Sequence, residues 1–295
     1  MSKDHLFVRE FGQGDPVLVL SGLGMRSWHW LPFLWSHRKN FHFIIPDWRG
    51  FGRSKDCHIS TESDAMTQHW QDLKGIIDYR GLRNFKVIAY SMGATIAMHG
   101  MKYADFSSHI KDYLHIDQSP KIQSDTNWPY GLYGQQYQNY RINLSKLYHF
   151  LDQHQHSQYT HELSPSQLSE LYQHWKKVFQ FSNDDRCLPF EHFKTVQSLL
   201  LPTRNLNHLR WYLFSYIHHS DDYREALFNL KCPIHFFMGQ RSLLYPIAGQ
   251  RWIAAQCKQV TTVEFSRSGH APMLTEALKF NRHLKEFLYQ KSTLA

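Results

Sequence analysis

Residues 86–98, Lys86-Val87-Ile88-Ala89-Tyr90-Ser91-Met92-Gly93-Ala94-Thr95-Ile96-Ala97-Met98, put a serine where chemistry can happen. A short β-branched run passes through Ser91-Met92-Gly93 into residues that favour helix, so the spacing predicts a strand, a sharp turn and a helix with Ser91 at the apex. Such a turn strains the serine backbone and lifts its hydroxyl above the sheet, beside the first unpaired amides of the helix. Gly93 permits the close strand–helix approach that a side chain would block, and Ala89 is small enough for the crowded position before the serine. A serine hydroxyl is a poor nucleophile near neutral pH, and attack on an acyl carbon needs an imidazole to take its proton. Serine is also a good helix cap, so the chemistry depends on partners supplied by the rest of the chain.

The elements that must hold this turn follow from hydrophobic period. His5 to Phe11 alternates and predicts a first, antiparallel strand. Val17-Leu18-Val19-Leu20 and Phe41 to Ile45 are continuous apolar runs, the pattern of strands buried on both faces. Between them, after Ser21-Gly22-Leu23-Gly24, residues Trp28 to His37 predict a helix. Ser63 is placed to cap a helix whose Met66, Trp70, Leu73, Ile76 and Ile77 share one face, with Gly81 at its end. Tyr113 to Ile116, Ile234 to Met238 and Thr261 to Phe265 predict further strands, and a closing helix carries Phe280, Leu284, Phe287 and Leu288 on one side. Alternating buried strands and amphipathic helices specify an α/β fold with a mostly parallel central sheet flanked by crossover helices.

The character changes between residues 121 and 222, which are rich in Gln, His, Tyr, Ser and Leu and carry no strand signal. Ser164-Pro165-Ser166-Gln167 is a capping box with proline at the first helical position, followed by a stripe of Leu168, Leu171, Trp175, Val178 and Phe179. Asn207 to His218 predicts another helix, dense in aromatics. The expected organisation is a core of residues 1–120 and 223–295 with a helical cap or lid, 121–222, over the carboxyl edge of the sheet.

Bulk properties narrow the classes of function. At 295 residues, 42% apolar and 20% charged, the chain has the composition of an ordinary soluble protein, and no apolar run is long enough for a membrane span. The formal charge of +8 comes from 33 scattered Lys and Arg residues without a basic run, so no nucleic-acid partner is expected. The 21 histidines are dispersed, and neither His154/His156 nor His218-His219 has a carboxylate or cysteine at ligand spacing, so no metal or other cofactor is expected. Cys57, Cys187, Cys232 and Cys257 lie far apart, which suits a reducing compartment. With no apolar signal core near Met1, the expected location is cytoplasmic, without stable membrane insertion.

Four segments together carry a resemblance: Leu20-Ser21-Gly22-Leu23-Gly24, Asp47-Trp48-Arg49-Gly50-Phe51-Gly52-Arg53-Ser54, Ala89-Tyr90-Ser91-Met92-Gly93 and Gly269-His270-Ala271-Pro272. In this order and spacing the chain resembles the α/β-hydrolase superfamily, and within it a capped serine esterase or lipase-like hydrolase, from the first strand to the last helix except in the cap. The resemblance implies Ser91 as nucleophile and His270, in the loop after the last strand, as its base. It implies an oxyanion hole of the Leu23 and Met92 amides. Ser21 stands where relatives usually have histidine, which leaves the backbone donor in place. The 47–54 segment is expected to be scaffolding whose charges pin the loops around the oxyanion turn.

The third triad member departs from the usual pattern. Relatives commonly carry an aspartate in a Gly-x-x-Asp turn after the strand that follows the cap, but here that turn is Gly239-Gln240-Arg241-Ser242. A serine hydroxyl cannot supply the negative charge that stabilises an imidazolium. Some relatives place the acid one strand earlier, and Asp117 in His115-Ile116-Asp117-Gln118-Ser119-Pro120 occupies that place, preserving the order Ser91, Asp117, His270. Asp184 and Asp185 in the cap are outside candidates.

The expected function is hydrolysis of small-to-medium apolar carboxylic esters through an acyl-enzyme, with Trp28, Trp128, Tyr130 and Trp175 as pocket residues and Met92 on its floor. A lactonase or thioesterase would use the same residues, and haloperoxidase-type side activity is compatible with them. A dehalogenase would need a carboxylate at position 91. A non-catalytic ligand-binding protein on this fold is the reading from another class, favoured by the missing aspartate at 242. The oligomeric state has no signature in the chain.

Overall fold

Residues Val17 to Leu20 have no side-chain surface in solvent, and Val87 to Ala89 have none either. Two such strands side by side need a layer of helices on each face, and the computed structural model, which describes residues 5–60, 62–179 and 201–290, provides them. Strands β1 (Val8–Gly12), β2 (Asp15–Leu20), β3 (Phe41–Pro46), β4 (Phe85–Tyr90), β5 (Ile110–Ile116), β6 (Ile234–Gly239) and β7 (Val260–Phe265) form a seven-stranded sheet in the order β1-β3-β2-β4-β5-β6-β7. Only β1 runs antiparallel to its neighbour; every other pair is parallel. Adjacent carboxyl ends are in register, with Leu20 beside Ala89 and Tyr90 beside Ile116. Loops that follow β2, β4, β5 and β6 therefore meet at one edge.

Helices α1 (Leu31–Leu34), α2 (Ala65–Tyr79) and α3 (Met92–Tyr103) precede the insertion. Within it lie α4 (Tyr137–Gln153), α5 (Pro165–Val178) and α6 (Leu206–His218), and α7 (Arg224–Phe228), α8 (Ile247–Gln256), α9 (Pro272–Thr275) and α10 (Ala277–Tyr289) follow it. The four apolar residues expected on the closing helix, Phe280, Leu284, Phe287 and Leu288, are all buried against one side of the sheet.

Two local expectations change. The helix expected over Trp28 to His37 is a single α-turn, Leu31–Leu34, between 3₁₀ segments Ser27–Trp30 and Trp35–His37. Pro32 lies in the first turn of α1, so the preceding segment cannot run on into it as regular α-helix. The cap of α2 is Asp64 rather than Ser63: its carboxylate accepts from the Met66 and Thr67 amides. A carboxylate at a helix N-terminus satisfies open donors and also meets the positive end of the dipole.

The chain leaves and rejoins the core at one point. Tyr223 N–H donates to the Pro120 carbonyl, and the backbones of Lys121 and Asp222 form an isolated antiparallel β-bridge. The last insertion helix, α6, is bound to the core by side chain to backbone bonds: the Tyr212 hydroxyl donates to Arg49 O at 2.8 Å, the Trp211 indole donates to Ser63 O, and Ser215 Oγ accepts from Ala65 N. The capping box expected at Ser164 is present at the start of α5. Among the described residues no helix is long and apolar enough to cross a membrane.

Candidate active site

Ser91 sits between β4 and α3 with φ +52° and ψ −125°, a backbone state that L-residues seldom occupy. The surrounding packing enforces it. Ser91 N–H donates to Ile116 O on the neighbouring strand, while its carbonyl accepts from Ala94 and Thr95 in the first turn of α3. A Cβ on Gly93 would lie 2.2 Å from the Leu20 carbonyl oxygen, so only glycine lets α3 start this close to β2.

His270, in the loop after β7, brings its Nε2 to 2.9 Å from Ser91 Oγ. Its Nδ1 lies 2.7 Å from Asp117 Oδ2. Asp117 follows β5 directly, is fully buried, and has a positive φ of +42°. With Nδ1–H given to the carboxylate, Nε2 is left as the acceptor for the serine hydroxyl proton. The rings of Tyr90 and Tyr245 pack against the imidazole at 5.1 and 5.7 Å between centroids, and burial raises both phenols, holding them neutral.

Asp117 is surrounded by donors, one of which stands where an acid was sought. Ser242 Oγ donates to Oδ2 at 2.7 Å, and Gly239 N–H and the Gln250 side-chain amide each donate to Oδ1 at 3.0 Å. Nothing in the sequence around Gln250, on α8, marks it as a partner of this carboxylate. Position 242 does carry a signal, the Gly-x-x-Ser turn itself. Asp184 and Asp185 lie outside the described residues.

The turn Gly22-Leu23-Gly24 faces Ser91 across the sheet edge. A Cβ on Gly22 would come within 3.2 Å of Ser91 Cβ, which fixes how near the two backbones approach. Ser21 is fully buried and anchors the turn twice: its hydroxyl accepts from the Trp30 indole at 3.0 Å and its carbonyl from the Trp48 indole at 2.8 Å. Asp47 accepts from Ser27 N–H and from Arg53 N–H, and Arg49 pairs with Asp72 at 2.6 Å and donates to His58 O. The 47–54 segment thus ties the glycine turn to α2. The Met92 amide belongs to the first turn of α3, where a helix has no internal acceptor.

Above Ser91 lies a cavity of about 810 Å³. Core residues Leu23, Phe33 and Tyr245 line it together with Trp175, Phe179 and Tyr216 from the insertion. Trp28 also lines it and is half exposed. Trp128 and Tyr130, expected in the pocket, line other ground. The Trp128 indole donates to Ser119 Oγ at 3.1 Å in the interior beneath Arg224, and Tyr130 packs edge-on against Trp128 and close over Gly249 of α8. The Met92 side chain is likewise in the hydrophobic core and not on the cavity floor. Aromatic content alone does not separate a ring that faces the cavity from one that braces the insertion's base. Among the described residues no cluster of His, Cys, Asp and Glu could hold a metal ion.

A family model described as the alpha/beta hydrolase family matches residues 17–282. The chain belongs to this family. Its relatives include a pimeloyl-[acyl-carrier protein] methyl ester esterase of Chromobacterium violaceum, 22% identical over 96% of this chain and 98% of that protein. An AB hydrolase superfamily protein, YisY, of Bacillus subtilis is 24% identical over 96% and 94%. Among solved structures, an esterase from Exiguobacterium antarcticum superposes with a TM-score of 0.71 at 18% identity, covering 97% of this chain and 96% of that one. MGS-M2, an alpha/beta hydrolase enzyme from a deep-sea metagenome library, gives a TM-score of 0.74 at 18% identity, covering 98% and 96%. These likenesses establish the fold.

Proposed function

We propose that this alpha/beta hydrolase is a serine carboxylesterase that cleaves apolar acyl esters through an acyl-enzyme intermediate. The observation that carries the reading is the continuous hydrogen-bonded line Ser91–His270–Asp117, at 2.9 and 2.7 Å, opening into an apolar cavity. Ser91 Oγ attacks the ester carbonyl carbon while its proton passes to His270 Nε2. The oxyanion that forms is held by the Leu23 and Met92 amides, at the glycine turn and the start of α3. Collapse of the tetrahedral intermediate expels the alkoxide, which takes the proton from His270; water then enters by the same route and releases the acid. Asp117 keeps the imidazole in the productive tautomer and stabilises its cation. The insertion 121–222 acts as the cap that supplies much of the acyl pocket.

A lactonase or thioesterase would use the same residues, and the likeness to the Chromobacterium methyl ester esterase favours an ester. A location in the cytoplasm is the natural setting for Cys57, Cys232 and Cys257, the free cysteines among the described residues. A fluorophosphonate probe tests the nucleophile. Wild type should be labelled and Ser91→Ala should not; equal absence of labelling from both, with no turnover of p-nitrophenyl acetate or butyrate, points instead to a non-catalytic binder.

A further inference from the structure

Resting on that hydrolase reading, we infer that Ser242 is a positioning residue of the reaction: its hydroxyl holds Asp117 in place and moderates the charge that the carboxylate presents to His270. The direction of the bond is fixed by its surroundings. Ser242 Oγ accepts from Tyr245 N–H at 3.3 Å, and a carboxylate can only accept, so the hydroxyl proton points at Asp117 Oδ2 at 2.7 Å. That is the same oxygen that His270 Nδ1 uses, also at 2.7 Å. The Gly239–Ser242 turn is closed by Ser242 N–H to Gly239 O, and Gly239 N–H itself donates to Oδ1, so one turn grips both carboxylate oxygens.

Two consequences follow from sharing Oδ2. Removing the hydroxyl leaves more of the carboxylate charge on the His270 side, which favours the imidazolium and keeps the base protonated to higher pH. Position 242 is also within a carboxylate's reach of the imidazole, because its hydroxyl already touches the oxygen that the imidazole touches. Two carboxylates there would repel, so one position is acidic while the other donates.

The test compares full-length wild type, Ser242→Ala, Ser242→Thr, Asp117→Asn and the double variant Asp117→Asn/Ser242→Asp on p-nitrophenyl butyrate. Ser242→Ala should lose several-fold in kcat with KM little changed, and the acid limb of its kcat/KM profile should move to higher pH. Ser242→Thr, which keeps the donor, should restore both. The double variant should recover at least tenfold over Asp117→Asn. An acid limb for Ser242→Ala that superposes on wild type, or a double variant no better than Asp117→Asn, overturns the inference while leaving the hydrolase standing. A wild type inert to esters and to fluorophosphonate takes both down together. If Ser242→Ala does not fold, Ser242→Cys, a weaker donor of similar size, carries the same expectations.

Discussion

Asp117, directly after β5, is the proposed acid for His270, so its removal should be felt in the chemical step. Asp117→Asn keeps the shape but cannot stabilise the imidazolium, and kcat should fall by about 10³ to 10⁴ with little change in KM. Single-turnover kinetics on a p-nitrophenyl ester would check this, and a variant near wild-type rate would reassign the acid. That Ser91, His270 and Asp117 would meet is legible, because strand–turn–helix spacing, a post-strand histidine and an aspartate at a strand end are local signals. The donors around Asp117 are not. Gln250 meets it from 133 residues away, through the packing of α8, and no local pattern encodes such a meeting. Lys86 is a similar case: a lysine opening a buried strand reads as an anomaly until its pairing with Asp112 at 2.6 Å and its bonds to the carbonyls of Phe287 and Gln290 are seen.

Helices were legible where periodicity and punctuation agreed, as at Ser164-Pro165 and the closing helix. They were less so where two adjacent residues competed, as Ser63 and Asp64 did for the cap of α2. The Asp64 assignment predicts that Asp64→Ala lowers stability by about 1 kcal/mol near pH 7. Burial alone would raise the Asp64 carboxyl, but bonds from the Thr67 hydroxyl and the Thr67 and Met66 amides outweigh it and hold the group below its ordinary 3.8. A depressed carboxyl stabilises the fold above its unfolded-state value and stops doing so as pH falls through its folded-state value. The gap in melting temperature between wild type and Asp64→Ala should therefore narrow between about pH 5 and about pH 2. A gap that stays constant over that range would locate the cap elsewhere. At α6, Tyr212→Phe deletes the hydroxyl that donates to Arg49 O and meets His69 Nε2 at 2.7 Å. Leaving those buried groups unmatched should cost about 1–3 kcal/mol in urea denaturation, and a loss below the error of that measurement would show that this hydroxyl does not help to hold α6.

At the scale of the whole chain, the mostly parallel sheet flanked by helices is legible in the alternation of buried strands and amphipathic helices, whereas the strand order β1-β3-β2-β4-β5-β6-β7 is not, because it depends on which strands pair. Which aromatics would reach the cavity is not legible either, since that depends on how α4, α5 and α6 stack. The cavity's apolar walls make a specific expectation for an acyl series. From acetate towards octanoate, kcat/KM of p-nitrophenyl esters should climb by up to about fourfold per methylene, the equivalent of about 0.8 kcal/mol, and level off as the space fills. Trp175→Ala should flatten the climb for the longer chains and spare acetate. A series that is flat from the start would place the acyl group outside the cavity.

Ser91, Asp117, Gly239, Ser242, Gln250 and His270 all lie outside residues 121–222, and the chain crosses into and out of that stretch at the Lys121–Asp222 bridge. The proposed reactive line is thus built from the core alone, while residues 121–222 contribute Trp175, Phe179 and Tyr216 to the wall above it. Substitutions at those wall positions should change which acyl groups fit while the Ser91–His270–Asp117 line stays assembled.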